Sequence, residues 1–293
     1  MGCPLPAPGL LQELPAAGPA PAGSRGIALL FRRLRRARIL RQRLLVPEHW
    51  ASLLEEHPIL GGLGPEELGR LRELSTLFLH EKIFELRGGQ ELDQYRRSVI
   101  AVQACLPVLN LGLDWYRNWG TIVVVPDVFT QELREQDEAG VVHEWEEEQS
   151  GEAWDQGPVV LSWQDVEASG WGDGYNVVIH EAAHKLDLLD GQSNGRPQLH
   201  EGVSAAEWYE GFAGAYEDFR QRASRKSKGR RLRIDDYAAE NDAEFFAVAC
   251  EYFFEQPGVL KEEYPQVYRL LAAFFRQDPA SRLAARTPRK RGN

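Results

Sequence analysis

Cysteine is scarce. The 293-residue chain has three, Cys3, Cys105 and Cys250. That is too few for a disulfide framework and fits a reducing compartment. Long apolar runs are missing too: no stretch approaches the roughly 18 residues a membrane span needs. The apolar run nearest the N-terminus, 27–31, is followed at once by arginines. A secretory signal carries its charge ahead of its apolar core, so this pattern is not one. A soluble cytoplasmic protein is the expectation. Positive charge is in deficit, with 34 Lys+Arg against 44 Asp+Glu and a net charge of −10. That balance argues against direct nucleic-acid binding. The chain also lacks a Gly-rich phosphate loop, a Cys-x-x-Cys pair and a Gly-x-Ser-x-Gly elbow.

What is present divides along the chain. Residues 1–25 are rich in Pro, Ala and Gly without apolar period, the composition of a disordered tail. In 26–46, Ile27, Leu30, Phe31, Leu34, Ala37, Leu40 and Leu44 recur at helical steps among seven arginines. This predicts a basic amphipathic helix ended by Pro47. Two readings fit it: contact with an anionic membrane surface or acidic partner, or packing on the acidic body of the same chain. Residues 47–284 form the expected catalytic domain and 285–293 a basic tail. Helices are predicted near 49–56, 65–78, 92–109, 176–189, 205–222, 243–254 and 266–276, and strands at 82–86, 121–125 and 158–163. A basic loop covers 225–233. The class is α+β, mostly helical with a small mixed sheet.

The strongest chemical signal is His180-Glu181-Ala182-Ala183-His184, an HExxH. Residues four apart share one helix face, so both imidazoles can reach one zinc ion. Glu181 is placed to reach a water on that metal and act as general base. Apolar residues flank the motif on both sides, which predicts a buried helix whose polar groups need partners. A catalytic zinc needs a third protein ligand and an open position. Glu244 and Glu251 stand seven apart on another apolar helix, with Asn241 and Asp242 as candidate caps. Glu244 is the expected third ligand and Glu251 a supporting acid behind the ligands. Asp187, three residues after His184, either orients a ligand histidine or is a surface or capping carboxylate.

Four segments resemble the Mlc titration factor A family of zinc metallopeptidases. They are IHEAAHKLDLLDG (179–191), DDYAAENDAEFFAVACEYFFEQP (235–257), VQACLPVLNLGLDWY (102–116) and SGEAWDQGPVVLSWQDV (150–166). They stand in family order and span most of 50–282. The resemblance implies a zincin-like, gluzincin-type peptidase, more distantly similar to the catalytic domain of anthrax lethal factor. It places one Zn2+ on His180, His184 and Glu244, with Glu181 and Tyr237 as catalytic groups. It implies cytoplasmic, aminopeptidase-like activity on peptide substrates. In at least one member it also implies sequestration of a sugar-responsive transcriptional repressor. The residues before Pro47 and the basic loop at 225–233 fall outside the family pattern.

Overall fold

The computed structural model describes residues 22–42, 44–88, 92–126, 135–136, 142–143, 157–225 and 232–284. Most of the 1–25 tail, the 226–231 part of the basic loop and the 285–293 tail lie outside these. The described helices are α1 (Ala22–Gln42), α2 (Pro47–Glu56), α3 (Pro65–Glu81), α4 (Gln94–Cys105), α5 (Trp163–Ala168), α6 (Val177–Asp187), α7 (Ala205–Ser224), α8 (Asp242–Glu255), α9 (Pro257–Glu263), α10 (Pro265–Phe275) and α11 (Pro279–Ala284). The strands are β1 (Ile83–Leu86), β2 (Thr121–Val125), β3 (Glu135–Gln136), β4 (Val142–His143) and β5 (Val159–Ser162).

The chain divides into two units, Met1–Arg38 and Ile39–Asn293. In the first, Leu30, Phe31 and Leu34 of α1 are exposed, as are Arg33, Arg35 and Arg38. The helix starts directly after Pro21 and ends at Gln42 rather than at 46. The residue before a proline is pushed out of the helical region, and Val46 is extended at φ −53°, ψ 131°.

In the second unit, proline sets many boundaries. Helices α2, α3, α9, α10 and α11 each begin at a proline. There the missing N–H costs no hydrogen bond and the fixed φ suits the first turn. Proline also shortens α4: the predicted helix over 92–109 stops at Cys105, two residues before Pro107. At its start, Asp93 accepts a hydrogen bond from the Arg96 amide at 2.8 Å. The 158–163 strand likewise ends early. The Ser162 hydroxyl accepts from the Asp165 amide at 3.3 Å and turns Trp163 into α5.

The sheet is parallel rather than mixed, with order β1-β2-β5. Ile83 pairs with Thr121, and Ile122 with Val159. Parallel strands need a crossover, and α4 supplies it between β1 and β2. The central strand TIVVV is buried through its middle, as a strand covered on both faces should be. The antiparallel pairing forms a separate ribbon, β3 with β4.

Helix α6 packs between the sheet and α8, touching β5, α4 and α5 as well. Helix α8 is buried along nearly its whole length. Its Phe245, Phe246, Phe253 and Phe254 meet Trp208 and Phe212 of α7 and Phe274 and Phe275 of α10 in one apolar core. Trp208 stacks on Phe212 with ring centroids 4.5 Å apart. Burying aromatic area on this scale fixes α8 against α7 and α10.

Candidate metal centre

Asn176 starts α6. Its side-chain oxygen accepts from the Ile179 amide at 2.9 Å, an N-cap that aligns the HExxH on the helix. His180 and His184 then face one side with their Nε2 atoms 3.1 Å apart. Helix α8 is capped the same way: Asn241 accepts from the Glu244 amide at 2.9 Å. This brings Glu244 Oε2 to 3.0 Å from His180 Nε2 and 3.4 Å from His184 Nε2. The three predicted ligand residues therefore converge, one atom each, in a single half-buried cluster.

The cluster fits a divalent ion. Donors bound tetrahedrally at about 2.0–2.1 Å stand about 3.3 Å from one another, close to the three separations found. Glu244 Oε2 is buried yet takes no hydrogen bond, although two imidazole nitrogens lie within reach. The other face of His180 explains this. Its Nδ1 donates to Glu251 Oε1 at 2.8 Å, so in the neutral ring Nε2 carries the lone pair. A carboxylate oxygen and bare nitrogens pointing at one spot call for a cation there.

With no cation at that point, the same carboxylates favour a proton on His180. Burial opposes charge on His180, yet the Glu244 and Glu251 carboxylates facing its two nitrogens push its pKa up to about 10. Burial also works against ionised Glu244, but His180 and His184 hold it down at about 2. Glu251 is raised by burial, partly offset by His180 and the Asn176 amide. The site draws positive charge onto itself, which a metal dication would supply in place of a proton.

The remaining predicted residues fall around this triad. Glu181, the residue after His180, is half-buried and close enough to Tyr237 to raise its pKa. Tyr237 sits on a short 3-10 turn, Asp236–Ala239, begun by Asp235 accepting from the Tyr237 amide at 2.9 Å. Its ring centroid is 6.0 Å from that of His180, and the residue is 51% exposed. Burial, then Glu244, Glu240 and Glu181, push its hydroxyl up to about 12, so it stays a proton donor at neutral pH. Glu251 is buried beneath His180. Asp187 is fully buried, but its contacts are elsewhere. Its Oδ2 accepts from the Asn194 and Gly195 amides at 2.8 and 2.7 Å, which closes the turn after α6. It makes no hydrogen bond to His184, and its Oδ1 has no partner. Burial raises its carboxyl to about 6. Cys105 and Cys250 are free and buried, and burial raises both thiols, as inert core thiols.

Two residues escaped the sequence reading, Asn176 and Glu255. Asn176 Nδ2 donates to Glu255 Oε1 at 2.8 Å, and Glu255 Oε2 accepts from the Gly172 amide at 2.5 Å. The available signals were an Asn directly before the apolar start of the HExxH helix and a Glu four residues after Glu251. The glycines at 170, 172 and 174 belong to the same feature. All three have positive φ, and at Gly174 a Cβ would lie 2.8 Å from the Tyr252 ring.

Two histidines and a glutamate from neighbouring helices thus form a group that could hold a metal ion. The chain belongs to the glucose-regulated metallo-peptidase M90 family, whose profile matches residues 31–276. It is 36% identical to Mlc titration factor A of Cronobacter sakazakii over 242 residues, which cover 83% of this chain and 91% of that one. It is 37% identical to the proteins of that name from Escherichia coli and Yersinia enterocolitica. Those matches cover 77% of this chain and 85% and 84% of theirs.

Proposed function

We infer that this protein is a zinc-dependent peptidase of the cytoplasm that hydrolyses peptide bonds, aminopeptidase-like in its choice of substrate. The observation that carries this reading is the convergence of His180 Nε2, His184 Nε2 and the unsatisfied Glu244 Oε2 on one point, with Glu181 next to His180. A family of metallo-peptidases is where such a chain belongs. His180, His184 and Glu244 are the residues that would hold the zinc. Zinc, when bound, polarises the scissile carbonyl and lowers the pKa of water to about 7.

The chain's own residues do the rest. Glu181 accepts the proton of the attacking water on its carboxylate and delivers it to the leaving amine. Tyr237 donates its hydroxyl proton in a hydrogen bond to the developing oxyanion. Glu251 holds the proton of His180 on Nδ1 and so keeps Nε2 free. Strand β5, at one end of the sheet order, offers an edge along which an extended substrate pairs by backbone hydrogen bonds.

A second reading has a specific support, the name of the relatives, Mlc titration factor A. On it the chain binds a transcriptional regulator and the metal is mainly structural. Glu181 separates the two, because a structural site needs no base. Peptide hydrolysis and regulator binding by wild type and Glu181→Gln decide between them. Loss of cleavage with binding kept supports the peptidase. Absence of cleavage by zinc-loaded wild type across a peptide library, with tight regulator binding, establishes the second reading.

Helix α1 is the contact element in either case. Its exposed Leu30, Phe31 and Leu34 among arginines suit an anionic membrane surface or an acidic partner. Liposome sedimentation with and without residues 1–46 tests it, and equal binding by both forms would remove the membrane option.

A further inference from the structure

Glu251 and Glu255 lie one turn apart on α8, and both are buried, at 5% and 3% exposure. Buried carboxylates are costly, and an apolar helix such as α8 would pack without them. Their four oxygens are all engaged. Glu251 Oε1 takes the His180 Nδ1 proton at 2.8 Å, and Oε2 takes the Asn176 amide at 2.5 Å. Glu255 Oε1 takes the Asn176 side-chain amide at 2.8 Å, and Oε2 takes the Gly172 amide at 2.5 Å. Asn176 stands in the middle and has three separate tasks. Its side-chain oxygen caps α6, its backbone N–H fixes Glu251, and its Nδ2 is held by Glu255.

We propose that Asn176 and Glu255 are positioning residues for the metal centre: with Glu251 they form a buried hydrogen-bonded chain that fixes the aim and tautomer of His180. The inference rests on the metal reading above. Glu255 touches no ligand itself. It anchors Asn176, Asn176 sets the second oxygen of Glu251, and Glu251 leaves its first oxygen facing His180. Far-side partners of this kind orient a ligand imidazole and raise its basicity. Nothing comparable supports His184, since no described residue accepts from its other ring nitrogen. The chain of bonds therefore acts on one ligand of the three. It ends in the 169–175 loop, where the left-handed backbone at Gly172 (φ +79°) turns its N–H toward Glu255.

The test is zinc affinity of the full chain, measured by competition with a chelator, alongside the thermal midpoint. Glu255→Leu removes the anchor and fills its volume with apolar atoms. Asn176→Asp keeps the α6 cap but turns an acceptor toward Glu255. Both are expected to weaken Zn2+ binding roughly tenfold, the lower end for loss of such support. Glu255→Leu should do so with a lowered thermal midpoint but a kept fold, because the buried Asn176 side-chain amide and the Gly172 N–H lose their acceptor. In the Glu251→Gln background, either change should add less than twofold, because the effect passes through Glu251. Zinc affinity within twofold of wild type in both variants overturns the proposal, whatever happens to the midpoint. So does full additivity with Glu251→Gln. Should Glu255→Leu fail to fold, Asn176→Asp and its cycle with Glu251→Gln decide alone. A folded wild type that takes up no zinc overturns the metal reading itself, a distinct result from normal zinc uptake in wild type and variants alike.

Discussion

The two sides of α6 handle buried charge differently. Toward the sheet lie two buried lysines. Lys82 donates to the Tyr116 and Trp119 carbonyls and sits 3.7 Å from the centre of the Trp119 ring. Lys185 donates to the Gly157 carbonyl at 2.9 Å. Toward α8 lie buried carboxylates, and these lead from loop amides through Glu255, Asn176 and Glu251 to His180. The lysines end on backbone carbonyls, so their charges are satisfied locally and serve the fold. The carboxylate side ends on Glu244 Oε2, which takes no hydrogen bond. One side satisfies its polar atoms on backbone carbonyls, and the other aims an unsatisfied carboxylate oxygen and two imidazole nitrogens at one point.

That contrast can be broken from the chemical end first. Glu181→Gln should keep zinc and the fold but lower peptide turnover by about 10²–10⁴, the range for a lost general base. Metal analysis and steady-state kinetics on one preparation check it. Tyr237→Phe should cost about 10²–10³ in kcat, as for a lost oxyanion donor, with zinc affinity unchanged. Zinc uptake at pH 7 should release a proton, because His180 is held at about 10 before the ion enters. Titration calorimetry in buffers of different ionisation enthalpy measures this, and no proton release would contradict the account of His180.

The smaller effects sharpen the comparison through opposite pH slopes. Burial lowers Lys82 to about 8, below its unfolded value of about 10.4. Between those two values the unfolded chain binds more protons, so stability rises with pH there, and the penalty is full below pH 8. Burial raises Glu255 to about 7, above its unfolded value of about 4.3. There the folded chain holds the extra proton, so stability falls as pH climbs through that window. Asp187, raised to about 6, adds to the same fall. Denaturant unfolding across pH 5–10 should lose its upper rise in Lys82→Met, with zinc content unchanged. It should lose part of its lower fall in Glu255→Leu.

The convergence of His180, His184 and Glu244 was legible because it is written in local spacing. His180 and His184 are four apart, and Glu244 and Glu251 are seven apart on a helix too apolar to leave them unpartnered. The Glu251 contact followed from the same reasoning. Asn176 was not legible, because its roles come from three directions at once and only the cap leaves a mark in sequence. Asp187 illustrates the opposite problem. Its spacing from His184 left an orienting role and a surface or capping carboxylate equally open, and its Oδ2 accepts from the Asn194 and Gly195 amides while the residue is buried. The three strands of the parallel sheet were found but their pairing was not, and the two-residue strands β3 and β4 were not predicted. A parallel sheet depends on where α4 crosses, and periodicity carries no record of that. Short α5, α9 and α11 were missed, since six or seven residues show too little of a helical period to stand out.

The most direct test is metal content of the purified full chain by mass spectrometry, wild type beside Glu244→Ala. The account predicts one zinc per wild-type chain, lost or sharply weakened in the variant while the fold is kept. A well-folded wild type without metal, prepared free of chelators and offered zinc, would contradict it. So would a variant that binds zinc as tightly as wild type.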